Sequence, residues 1–92
     1  MIISFRHRGL RRLYEDDDRR GLNAEHVPKI TTILSRLDVA KKPEDMEVAG
    51  LRFHALKGDL KGSWSVTVRA NWRIIFRFDG ENATDVDYLD YH

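Results

Sequence analysis

The sequence contains no cysteine, so disulfide staples and thiolate metal sites are both excluded. Its two prolines and six glycines form no Pro/Gly/Ser linker at which the chain would divide. Residues 1–92 therefore read as one small domain, near the lower size at which an apolar core holds without staples. No run approaches the roughly 18 apolar residues of a membrane span, and the opening "MIISFRHRGL" is too short and too soon charged for a signal peptide. A cytoplasmic location is the default expectation. The four histidines, His7, His26, His54 and His92, lack the paired spacing of a zinc site. Gly58 and Gly62 match no phosphate-loop or dinucleotide fingerprint, and there is no Gly-x-Ser-x-Gly elbow. Neither a metal nor a cofactor is expected.

Net charge is scarce too, at +1, but its distribution is uneven. Between Arg52 and Arg77 six cations face a single anion, Asp59, whereas from Asp79 onward there are five anions and no Lys or Arg. A basic block thus precedes an acidic one, and total charge conceals a candidate phosphate-binding surface. The apolar fraction of 41% is well above that of disordered chains.

The periodicity of the apolar residues gives the elements. "MIISF" reads as a short strand. Leu10, Leu13 and Tyr14 recur at helical spacing within "RHRGLRRLYEDDD", with Gly9 as a weak point. Val27, Ile30, Ile33, Leu34 and Leu37 mark the clearest helix. Asn23 is able to cap it while Pro28 suits only a first turn, which leaves its start open. Pro43, Glu44 and Asp45 suggest a short helical turn ending by Gly50.

After Gly50 the period becomes two. "LRFHAL" reads as a strand followed by the turn-rich "KGDLKGS". "WSVTVR" and "WRIIFRF" are strands joined by a tight "AN" linker, and after "DGEN" the run "TDVDYLDYH" forms the last strand. The expected fold class is α+β, with N-terminal helices packed on an antiparallel sheet. With Trp64 and Trp72 towards the helices, Thr67, Arg69, Arg73 and Arg77 stand on the opposite, open face. The guanidinium fork suits phosphate, although the same residues also fit an ordinary solvated face. His54 and His92, each structural if read alone, form with Asp90 and Tyr91 a set of groups able to move protons near neutrality.

The stretch "HALKGDLKGSWSVTVRANWRIIFRF" together with the final "DYH" resembles the HigB toxins, or plasmid maintenance killer proteins, of the wider RelE group. Three features carry the resemblance: "LKGD" after a strand His, the "SVTVRANWRIIF" hairpin, and the "DYH" ending. It spans nearly the whole chain, fitting more loosely over "ISFRHRGLRRLYE" and least between Asp16 and Lys29.

The resemblance implies the RelE-like microbial ribonuclease fold. It also implies a metal-independent, ribosome-dependent endoribonuclease that cuts mRNA in the ribosomal A site and so inhibits translation. Its partners would be the ribosome with its RNA, the mRNA, and a HigA-like helix-turn-helix antitoxin through which alone operator DNA is reached; no membrane is implied. Residue by residue, the resemblance implies a catalytic group of His54, Asp90, Tyr91 and His92. Lys57, Arg69 and Arg73 would bind phosphate or stabilise the transition state. The identity of base and acid stays open. Two other readings remain at this stage: a non-catalytic module that holds a DNA-binding partner or occupies RNA without cutting it, and a ribonuclease that needs no ribosome. The arginines Arg6, Arg8, Arg11, Arg12, Arg19 and Arg20 either dock on ribosomal RNA or are solvated charge balanced by Glu15 to Asp18, a run that also suits a basic partner.

Overall fold

The computed structural model describes residues 1–91, and His92 lies outside the described residues. The first helix, α1 (Arg8–Asp16), opens on His7, whose ring Nδ1 accepts the Leu10 N–H at 3.3 Å. It closes where Asp17 turns left-handed, and the N–H groups of Asp17 and Asp18 then satisfy the carbonyls of Leu13 and Arg12. Gly9 is more than a weak point. A Cβ there would sit 2.7 Å from the Gly21 carbonyl oxygen, so its missing side chain lets the chain after α1 pass against the helix.

The second helix, α2 (Val27–Val39), buries all five apolar residues of the sequence pattern. Its start combines both candidate signals. Asn23 caps a short 3-10 turn over Ala24–His26, accepting the Glu25 N–H, and that turn runs directly into α2 with Pro28 in the first turn. A further 3-10 turn, Pro43–Met46, follows.

The sheet is an antiparallel meander in the order β1 (His54–Ala55), β2 (Trp64–Arg69), β3 (Trp72–Asp79), β4 (Asn82–Asp90). Val66, Ile74, Phe76 and Val86 on its inner face are fully buried against Leu10, Ile30, Ile33 and Leu37 of the helices, as two layers around one core require.

Two expected strands are shorter than their sequence pattern. The first residues form only isolated parallel bridges to β4, Ile2 with Ala83 and Phe5 with Val86. The "LRFHAL" run is broken at Arg52, whose φ of 53° is left-handed; Leu51 still accepts the Thr67 N–H at 2.7 Å, but regular pairing begins only at His54.

Bulges change which way several side chains face. In β4 the pairing passes from Ile75–Asp87 to Arg77–Thr84, an extra residue on β4, and Asp85 takes a φ of 52°. The buried residues are consequently Ala83, Val86 and Tyr88, a spacing that strict alternation does not give. In β2 the pairing passes from Thr67–Arg73 to Arg69–Trp72, an extra residue on β2.

Candidate active site on the outer face of the sheet

The β2 bulge corrects the expected face of Arg69. Residues paired across an antiparallel ladder share a face, so Arg69 shares the helix side with Trp72, and its guanidinium reaches Glu25, just before α2, at 3.5 Å. Thr67, Arg73 and Arg77 keep the outer face. That face is only partly open. Ser65 and Ile75 on it are buried, as is Leu56, all outside the main core. The reason is the loop after β1, where Leu56 N–H bonds the Ser63 carbonyl at 2.9 Å and the chain folds back towards β3. Arg77 pins that loop rather than facing solvent: it donates to the Lys61 carbonyl and to Ser63 Oγ, both at 3.3 Å. Its guanidinium also fills the space a Cβ on Gly62 would occupy.

His54 stands on β1 directly opposite Ser65. Its Nδ1 lies 3.0 Å from the Arg52 carbonyl oxygen and its Nε2 lies 3.5 Å from Ser65 Oγ. A carbonyl only accepts, so Nδ1 carries the proton in that bond. Lys57 is exposed on the same segment, at the start of the 3-10 turn Gly58–Leu60.

Arg73 is held on this face by a side chain of β2 and an aromatic ring. One guanidinium nitrogen donates to Thr67 Oγ1 at 3.3 Å, and its carbon lies 5.6 Å from the centre of the Tyr91 ring, a cation–π distance. Its Nε is buried and has no hydrogen-bond partner among the described residues. Tyr91 is tied to the β2–β3 corner by its N–H, which bonds the Asn71 carbonyl at 2.8 Å. From the strand spacings, His54 and Arg73 lie two strands and one row apart, about 12 Å between Cα atoms. Two long side chains and a phosphodiester span that distance.

Asp90 is placed differently. It pairs with Trp72 and is exposed, in the same cross-strand row as Arg69 on the helix side of the sheet end. The structure thus gathers His54, Arg73 and Tyr91 on one face and sets Arg69 and Asp90 at its rim. Of the expected site, only His92 lies beyond the described residues.

Ser65 and Thr67 as direct partners of the two candidate groups, and Arg77 as a loop anchor, were not assigned from sequence. Ser65 becomes visible only once β1 and β2 are put in register. His26 is a core residue: buried, it shares a 2.6 Å hydrogen bond with the Tyr88 hydroxyl beneath Trp72. Burial raises the Tyr88 phenol above its usual range. Among the described residues, no three His, Cys, Asp or Glu side chains gather to hold a metal ion. No described helix is long and apolar enough to cross a membrane. Two concavities lie along α2, one lined by Leu13, Tyr14, Leu34 and Asp38 and one by Arg36, Val39 and Asp45, and neither contains a candidate site residue.

Known proteins give this arrangement its context. The fold is similar to that of a YoeB/ParE toxin from Agrobacterium tumefaciens, with a TM-score of 0.59 at 22% identity over 100% of this chain and 99% of that one; the likeness supports the expected RelE-like fold. The sequence is 42% identical to the endoribonuclease HigB of Proteus vulgaris over 92 residues, covering 100% of both chains. It is 34% identical to the toxin HigB-1 of Vibrio cholerae serotype O1, covering 100% of this chain and 98% of that one. Residues 3–92 match the family described as RelE-like toxin of type II toxin-antitoxin system HigB, and the chain belongs to that family.

Proposed function

We propose that this chain is a metal-independent endoribonuclease that cuts mRNA in the ribosomal A site and is held in check by a helix-turn-helix antitoxin. The observation that carries the reading is Arg73: a guanidinium braced by Thr67 and Tyr91, with a buried Nε lacking a partner among the described residues, on the face that also holds His54. An unpartnered buried donor is costly, and a bound phosphate oxygen meets that need.

RNA supplies its own nucleophile. The 2′-oxygen attacks phosphorus and gives its proton to a base, the bond from phosphorus to the 5′-oxygen breaks, and an acid protonates the departing oxygen. The products are a 2′,3′-cyclic phosphate and a 5′-hydroxyl. His54 and His92 are the proton-transfer pair, with Asp90 orienting one of them or serving as the base. Arg73 and Lys57 offset charge on the phosphoryl oxygens. Tyr91 stacks on a base of the single strand. Arg69, exposed at the rim, takes a flanking phosphate in exchange for Glu25.

A small site with few base-reading groups gains little by binding free RNA. A ribosome that presents the codon already splayed supplies the orientation, and the exposed Arg6, Arg8, Arg11 and Arg12 supply phosphate contacts to ribosomal RNA. Arg20 contributes less, being held by Asp18 at 3.0 Å.

The test is end analysis of mRNA incubated with the purified protein, with and without stalled translating ribosomes. The reading expects cuts at the A-site codon only with ribosomes, leaving cyclic phosphate and 5′-hydroxyl ends. Equal cutting of naked RNA would refute the ribosome requirement, and 5′-phosphate ends would refute attack by the 2′-hydroxyl.

A further inference from the structure

Ser65 is a fully buried serine in the middle of an apolar strand, flanked by Trp64 and Val66 and paired with Ile75. An alanine would pack there without burying a hydroxyl, and a buried hydroxyl needs a partner. The partner it has is the ring of His54, directly opposite in the β1–β2 register, with Oγ 3.5 Å from Nε2. The other ring nitrogen meets the Arg52 carbonyl at 3.0 Å, and that carbonyl is aimed by a left-handed backbone at Arg52, φ 53°. Outside glycine, asparagine and aspartate this conformation is uncommon, and here it breaks a strand just where the histidine needs an acceptor.

The two contacts do different things. Because the carbonyl accepts only, it holds the proton on Nδ1 and leaves Nε2 as the basic nitrogen of the neutral ring. The Ser65 hydroxyl is able to donate to bare Nε2 and, after rotation, to accept from Nε2–H. It therefore follows the ring through both protonation states without a change in position. At 3.5 Å the contact is at the long limit for a hydrogen bond, and an incoming substrate oxygen displaces it easily.

We infer that Ser65 is a positioning residue for the cleavage reaction: the Arg52 carbonyl selects the Nδ1–H tautomer of His54, and Ser65 holds the ring so that Nε2 stands where proton exchange with RNA takes place. The inference rests on the proposed role of His54 and adds to it the atom that reacts and the group that holds it in place.

Two measurements test it. Long-range nitrogen–proton NMR of the imidazole, at a pH where His54 is neutral, reads the tautomer directly in the purified protein. The expected result is a proton on Nδ1 in the wild type and in Ser65→Ala alike, because the Arg52 carbonyl sets it. In ribosome-programmed cleavage, Ser65→Ala is expected to lower kcat about tenfold with KM unchanged, and Ser65→Thr, which keeps the hydroxyl, to recover most of the loss. In a His54→Ala background the same substitution should change nothing further. A wild-type proton on Nε2, or an equal loss in the His54→Ala background, overturns the inference while leaving the functional reading in place. Full cutting by His54→Ala overturns the functional reading and takes the inference with it.

Discussion

At the scale of single residues, Arg73 and Arg69 separate two roles that look alike in sequence. Arg73 is braced on the outer face, and its fork has no substitute in a lysine. Arg73→Ala and Arg73→Lys should both lower the single-turnover cutting rate by about a hundredfold or more, with melting temperatures close to wild type. Arg69, whose ion pair with Glu25 is solvent-exposed, should behave differently: Arg69→Ala is expected to raise KM a few-fold and leave kcat nearly intact.

A separate pair governs stability with pH. Tyr14 donates to Asp38 Oδ1 at 2.5 Å, and the Ile2 N–H donates to the same oxygen at 3.1 Å, tying the N-terminal segment to both helices. The Tyr14 hydroxyl, and then the Ile2 N–H against the opposing effect of burial, hold the Asp38 carboxyl below its usual range. Its bond to Asp38, then burial, pushes Tyr14 up to about 12. Asp38 thus stabilises the fold fully above its unfolded pKa of roughly 3.9, and the contribution is lost as pH falls through the lower folded value. Tyr14 contributes fully below pH ~10, and that contribution is lost as pH rises towards its folded pKa. Asp38→Asn should melt below wild type at pH 7, with the gap closing in acid; a gap independent of pH would contradict this account.

Among the elements, much of the architecture was legible because its signals are local. The five apolar positions of α2 and the alternation in β2 and β3 fixed their inner faces. What sequence did not show depends on backbone events with no residue signature. Arg52, Ala70 and Asp85 all adopt left-handed φ, yet only Asp85 is a residue type that favours it. The Arg52 break shortened β1, and the bulges moved Arg69 to the helix side and reset the core positions of β4.

Two substitutions check these features. Ala70 in the two-residue β2–β3 corner has a φ of 52°. Ala70→Gly should raise stability by up to about 1 kcal/mol, relief of the left-handed alanine being partly offset by glycine's greater freedom when unfolded. Gly9→Ala should act in the opposite direction, because a Cβ at 2.7 Å from a backbone oxygen cannot be absorbed by a side-chain shift. Overpacking of about 1–3 kcal/mol should outweigh the helix-propensity gain of ~1 kcal/mol, and the urea midpoint should fall.

Over the whole molecule, the helices cover one face of the sheet, and His54, Arg73 and Tyr91 stand on the other. The two concavities lie along α2, and neither contains any of the three. The candidate site itself was legible in residue type and order, through "LKGD", the hairpin and "DYH", while its spatial division was not. His54, Arg73 and Tyr91 share a face, whereas Asp90 and Arg69 stand at the rim because of the strand ends and a bulge. The central claim is that this outer face cuts RNA. Its most direct test is the single-turnover rate of A-site cleavage by His54→Ala and Arg73→Ala on programmed ribosomes, with each variant shown to be folded by its melting curve. Loss of about a hundredfold or more in both places the chemistry on that face; cutting at the wild-type rate by either folded variant would contradict it.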